Sequence, residues 1–374
     1  MKFTVSSSLL LSRLQTVGRV IPSKSTMSIL ENFLLQVSDD KLTIIGSDVD
    51  TTISATIDVT DVEGSVSIAL SGKILMETLK EFSDQPLSFN INTDNYGVEF
   101  RTNSGIYNLV GKSGDDYPQM KQLDAVHESH VVPSSILLSG IVKTSFAAAT
   151  EEVRPTMTGI YHLFSEDNIT FYATDAHKLV RLSNMSVKSD HVSSFILPRK
   201  AFSLLRNVLA AENEDVVVSF DKQNIIYQMP NYTLISRQIE GNFPNCSGVI
   251  PKNNNIEVII DRQIFANAIR RIAAFTNQGT NLIKLSITSG NINLSAQDID
   301  FNTSANDNIP CQYEGEPISI GFKAALLSDI LAGITSTEVR LLLSDPSRAG
   351  LILPFENEEN EDLLTLLMPM LINE

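Results

Sequence analysis

The sequence predicts an α+β fold built as three similar domains. Three observations carry this. A turn, strand and aspartate pattern recurs three times along the chain of 374 residues. Helix-like segments recur in the same register. The remaining strand signals are short and lie in runs between a few helices, which favours antiparallel sheets over a parallel βαβ arrangement.

The repeated strand segments are DDKLTIIGSDVD (39–50), EDNITFYATDAH (166–177) and SGNINLSAQDID (289–300). Their aspartates, Asp48, Asp175 and Asp298, fall at intervals of 127 and 123 residues. One set of amphipathic helices reads SGKILMETLKEF, PRKAFSLLRNVL and GFKAALLSDILA. Its early lysines, Lys73, Lys200 and Lys323, repeat at the same intervals of 127 and 123. A second set lies near the start of each third, at 9–20, 135–148 and 262–275. In the first of these, Leu10, Leu14, Val17 and Ile21 form one apolar stripe and Arg19 points the opposite way. In the last, Phe265, Ile269 and Ile272 form the stripe, with Arg270 on the far side. Strands are expected at 87–92, 96–102, 215–220 and 339–344, the first two joined by the turn Thr93-Asp94-Asn95. The analogous junctions GDDYPQM (114–120) and EGNFPNC (240–246) precede boundaries near 123–126 and 252–255. The expected domains are therefore 1–124, 125–252 and 253–374, each holding two helices packed on antiparallel sheet.

Several classes are set aside by composition. The chain carries 28 basic and 44 acidic residues, a net charge of −16, which as a total speaks against nucleic acid and against an anionic membrane surface. The apolar run 9–11 is too short for a secretory leader and is soon interrupted by Arg13, and no run approaches a membrane span. Cys246 and Cys311 lack CxxC spacing and a histidine cluster, so they read as buried thiols. No metal or cofactor is expected, and a cytoplasmic protein is the natural reading.

Catalytic motifs fail on inspection. Gly111-Lys112-Ser113 resembles a phosphate-binding loop only in part, because Ile106 stands where that loop requires glycine. His177 lies beside Asp175 but has no serine nucleophile elbow or second ligand-spaced histidine. His127 and His130 read as solvated boundary-loop residues, and the acidic run 356–362 as a solvated hairpin between apolar strands.

The charge is unevenly distributed. The six expected helical segments, taken as 6–24, 72–82, 135–149, 199–212, 262–275 and 322–333, contain 13 basic and 4 acidic residues. They carry +9, leaving −25 on the rest of the chain. Helices that bury one face and show cations on the other, without base-reading motifs, suit phosphate contacts.

At this point the residues resemble a known family, the bacterial DNA polymerase III beta subunit. The resemblance rests on MKFTV at the start, SILENFLLQV (28–37), ATDAHKLV (173–180), ILPRKAF (196–202), FPNCSGVIPKN (243–253), IGFKAALLSDIL (320–331) and MPM (368–370). It implies a DNA-clamp fold in which two three-domain chains, joined head to tail, close a six-domain ring with helices lining the hole. It implies a non-catalytic sliding clamp whose partners are double-stranded DNA bound without sequence preference, a second copy of itself, and the replicative polymerase, clamp loader and repair proteins, recognised through short linear motifs. Lys24 matches a DNA-contacting position of the family, and Lys73, Arg154, Arg199 and Lys200 are further candidates. The family's peptide pocket, between the second and third domains, carries over as Met157, Thr174, His177, Lys178, Leu179, Pro244, Val249, Leu366, Leu367, Met368, Pro369 and Met370.

This sequence departs from the family in several places. TDGHRL becomes Thr-Asp-Ala-His-Lys-Leu, with Ala176 and Lys178; Gly248 replaces a rim arginine; Leu326 replaces a tyrosine; and Leu371-Ile372-Asn373-Glu374 replaces the usual ending. Lysine lacks the planar fork of arginine, so a different peptide preference and a more open pocket are expected. Two other readings stand beside the clamp: an enzyme using Asp175 and His177, and a β-rich scaffold, which would explain the repeat but not the basic helices.

Overall fold

The structure is a computed structural model that describes residues 1–372. Among those residues the α-helices are α1 (Ser7–Val17), α2 (Gly72–Leu79), α3 (Ser134–Thr144), α4 (Arg199–Leu209), α5 (Arg262–Ala273) and α6 (Ala324–Ala332). The helices are shorter than the sequence suggested. α1 ends at Val17, so Ile21, Arg19 and Lys24 lie in the following turn and loop. Its buried face is Leu10, Leu14 and Val17; that of α5 is built around Phe265, Ile269 and Ile272, with Arg270 exposed.

The strands form antiparallel sheets of five, nine, eight and four strands. The chain divides into two compact units. The first comprises Met1–Leu138 and Leu197–Gln238; the second comprises Ser139–Ile196 and the chain from Ile239 on. Compactness therefore does not follow sequence order, and the middle third contributes to both units. Sheet continuity is the reason. In the first unit, strand Thr51–Asp58 of the first third pairs with Tyr232–Arg237 of the middle third. In the second, strand Lys178–Asn184 of the middle third pairs with Glu361–Leu367 of the last. The expected boundaries near 124 and 252 both fall in segments without helix or strand.

The threefold pattern is visible atom by atom. Asp48 Oδ1 accepts the amides of Asp50 (3.1 Å) and Thr51 (2.7 Å). Asp175 Oδ1 accepts those of His177 (2.9 Å) and Lys178 (2.8 Å). Asp298 Oδ1 accepts those of Asp300 (2.9 Å) and Phe301 (3.3 Å). Each carboxylate ends one strand by mimicking a backbone turn. The third turn is two residues longer: Asp298 pairs with Thr303, whereas the amides of Asp48 and Asp175 donate to Thr51 O and Lys178 O.

Other expectations are refined. The hairpin at 93–95 joins strands Pro86–Ile91 and Gly97–Arg101. Lys112–Ser113 is a short strand paired with Val66–Ser71, an arrangement with no phosphate loop. His130 is not in a loop: it lies in strand Glu128–Pro133 and stacks on Phe220 at 5.9 Å. The 356–362 hairpin is only partly solvated, because Glu358 and Glu361 bind Lys143 of α3 at 2.8 and 2.5 Å. Gly140 lets α3 lie against the sheet of the second unit, since a Cβ there would sit 2.6 Å from the Phe171 ring. Cys246 is buried, Cys311 is half-buried, and both are free.

Candidate peptide pocket and nucleic-acid interface

The second unit contains an apolar cavity of about 230 Å³. Each wall comes from the end of an element. Met157 sits in the short helical turn Pro155–Thr158. Thr174 closes strand Ile169–Thr174, and Lys178 and Leu179 open the next. Pro244, Asn245, Cys246 and Val249 come from the loop around the turn Cys246–Gly248. Leu366 is the penultimate residue of strand Glu361–Leu367, and Met368 follows that strand. The pairing of Leu179 with Leu366 brings the two leucines together, and the Met368 amide donates to His177 O at 2.8 Å. A buried cluster of Tyr172, Leu179, Cys246, Leu351, Leu364 and Leu366 supports the wall, with Tyr161 stacked on Phe243 at 4.9 Å.

The cavity gathers Met157, Thr174, Lys178, Leu179, Pro244, Val249, Leu366 and Met368 from the set named by sequence, and adds Ala176, Asn245 and Cys246. His177, Leu367, Pro369 and Met370 do not line it. Leu367 alternates with Leu366 along the strand, so it faces the opposite side and is fully buried. His177 is exposed on the turn and contributes its carbonyl. Asn245 and Cys246 lie between Pro244 and Val249, and that spacing was the available signal. Gly248 donates its amide to Asn245 Oδ1 at 3.3 Å, and Leu326 is half-buried in α6 outside the cavity wall. Asn373 and Glu374 of the altered ending lie outside the described residues.

Polar groups at the cavity are already engaged. Lys178 Nζ lies 2.8 Å from Asp175 Oδ2, with side chains 7% and 20% exposed. Burial pushes the Asp175 carboxyl up, but the Lys178 ammonium and the amides of Lys178 and His177 outweigh it, so the group sits below the usual carboxylate range. On α6, burial raises Asp329, against the opposing charge of Lys178. Burial pushes the Cys246 thiol up to about 11, which keeps it protonated and unreactive. Asp175 has both oxygens occupied and does not orient the His177 ring. The arrangement suits docking of an apolar side chain.

The candidate phosphate contacts divide into two groups. Lys24, Lys73 and Arg154 are exposed. Arg199 lies 5.8 Å over the Phe202 ring, and Lys200 is tied to Asp48 and to Val20 O. The expectation that helix cations face outward is corrected at Lys143 and Arg13, while Arg271 faces outward but is already paired. Lys143 is buried between carboxylates. Arg13 lies 4.9 Å over Tyr232 and donates to its hydroxyl at 2.7 Å. Arg271 holds Asp307 by two hydrogen bonds. Amphipathic periodicity specifies which face a side chain is on; it does not reveal a carboxylate brought in from a distant strand.

Fold and site together define a repeat-built α+β protein of the clamp type, with an apolar cavity at the strand ends of its second unit. Three family models match in succession: the N-terminal domain of the DNA polymerase III beta subunit over residues 1–121, its central domain over 131–245 and its C-terminal domain over 247–371. A curated relative, the beta sliding clamp of Bacillus subtilis, is 26% identical over 99% of both chains. That of Staphylococcus aureus is 26% identical over 91% of this chain and 92% of its own. A solved sliding clamp from Pseudomonas aeruginosa, bound to griselimycin, superposes with a TM-score of 0.93 at 25% identity over all of both chains. The Bacillus subtilis clamp structure gives 0.92 at 26%, again over all of both. The chain belongs to the DNA polymerase III beta subunit family, that of the non-catalytic sliding clamps.

Proposed function

We propose that two copies of this chain close head to tail around duplex DNA, and that the ring tethers the replicative polymerase and other partners by peptides seated in the cavity of the second unit. The observation that carries the ring is a repeated sheet joint with one missing member. Strand Thr51–Asp58 pairs with Tyr232–Arg237, and Lys178–Asn184 with Glu361–Leu367. The third strand of the first series is Thr303–Pro310, and the first-third counterpart of the second series is Ile106–Val110. Both are outer strands of their sheets within this chain, and Ile106 and Val110 are 57% and 81% exposed. Pairing Thr303–Pro310 of one copy with Ile106–Val110 of another repeats the internal joint between molecules. Such a contact uses two different surfaces and ends in a ring when its rotation closes.

Topology then holds the ring on DNA, and Lys24, Lys73 and Arg154 supply weak attraction to phosphates that permits sliding. A polymerase bound to the ring meets its primer end again at high effective concentration. Polymerase, loader and repair partners are read as short peptides with an apolar anchor, and the adaptable Met157 and Met368 suit several of them. Among the described residues no helix is long and apolar enough to cross a membrane, and a cytoplasmic location fits this role. The test is retention after loading on circular and on linearised DNA. The ring predicts persistence on the circle and escape from the ends; equal escape from both overturns it.

A further inference from the structure

Lys200 is among the further candidates for a phosphate contact, yet its ammonium is engaged within the protein. Its Nζ donates to Val20 O at 2.7 Å and pairs with Asp48 Oδ2. Asp48 is itself fixed by the amides of Asp50 and Thr51, and its side chain is only 18% exposed. Val20 is fully buried, and the strand Lys41–Ser47 approaches it so closely that a Cβ on Gly46 would lie 3.0 Å from its side chain. Lys200 therefore binds the start of α4 to a rigid point at the beginning of the loop that carries Lys24. The other end of that loop is braced too, because Glu31 Oε1 accepts the Ser25 amide at 3.0 Å. Lys24 stands exposed between these two fixings.

We propose that Lys200 is a positioning residue for the nucleic-acid contact made by Lys24. Its charge is balanced by Asp48, and its hydrogen bond to Val20 O fixes the loop so that Lys24 meets a phosphate without first losing loop entropy. The inference rests on the reading of Lys24 as a phosphate contact, and the two are separable by a double-mutant cycle. The full-length protein is titrated with a short duplex at several salt concentrations, as wild type, Lys24→Ala, Lys200→Met and the double variant. Lys24→Ala is expected to flatten the slope of log affinity against log salt by about 0.9, the effect of one phosphate contact. Lys200→Met is expected to weaken binding, and the double variant to bind no worse than Lys24→Ala alone.

Additive losses in the double variant overturn the proposal and make Lys200 a direct contact, leaving Lys24 in place. A Lys24→Ala variant with an unchanged slope overturns the reading of Lys24 itself. Amide hydrogen exchange supplies a second readout that needs no DNA. Exchange across 21–25 is expected to rise at least several-fold in Lys200→Met while the amides of α4 stay protected. Unchanged exchange in the loop refutes the positioning role. Loss of protection throughout α4 also refutes it, since Lys200 would then be holding the helix and not the loop.

Discussion

Ala176 has φ +74° and Val49 has φ +88°, in the left-handed region that side chains rarely adopt. Each follows the turn aspartate of its repeat, Asp175 or Asp48, so the same turn forces the same backbone in both places. A non-glycine residue there costs about 1–2 kcal/mol, partly offset by the chain entropy that glycine would bring. Ala176→Gly is therefore expected to raise stability by about 0.5–1 kcal/mol, read as a higher urea midpoint; a lower midpoint would contradict the strain. His162 gives the pH dependence at this scale. It is fully buried between Phe171 and Phe195, its Nε2 has no hydrogen-bond partner among the described residues, and burial pushes its pKa down to about 4 from 6.5. The unfolded chain takes up this proton near 6.5 while the fold resists it. Stability is thus complete above pH 6.5 and falls as the pH drops from 6.5 towards 4. His162→Leu is expected to flatten that part of the unfolding profile, and an unchanged slope would rule His162 out as the cause.

At the scale of elements, the hairpin after Gly350–Pro354 and α3 are joined through Lys143. The Lys143 and Glu361 side chains are 9% and 7% exposed, and Ser139 adds a hydrogen bond to Glu361 at 2.7 Å. Removing one partner of a buried pair strands the other charge. Lys143→Met is expected to cost about 3 kcal/mol by chemical denaturation, and restoring neutrality with Glu361→Gln should recover part of it; additive losses would deny the coupling. None of this was legible in the sequence, where Lys143 read as an outward cation and 356–362 as a solvated turn. Periodicity is local, whereas this contact joins residues more than two hundred positions apart. The turn aspartates and paired helices were legible because each uses residues near in sequence. The cavity was legible through family blocks, apart from residues whose strand parity turned them away, as at Leu367.

At the scale of the whole molecule, a joint between chains depends on concentration, as the joints within the chain do not. Ile106→Lys places a charge on the open edge strand Ile106–Val110; the parent is expected to show twice the chain mass in solution, and the variant the monomer mass of 41.1 kDa. A doubled mass in the variant would remove this edge from the interface. The net charge of −16 also reads differently by position, since an acidic bulk is compatible with exposed Lys24, Lys73 and Arg154. The turn aspartates have a last consequence. One oxygen of each carboxylate preserves the shape common to the repeats, and the other is free to acquire individual wiring. It holds Lys200 at Asp48 and Lys178 at Asp175, whereas at Asp298 it has no partner among the described residues. Asparagine keeps the acceptor and discards the charge. Asp48→Asn and Asp175→Asn therefore separate inheritance from divergence, leaving the turn intact while cutting the connection that each of these two repeats made for itself.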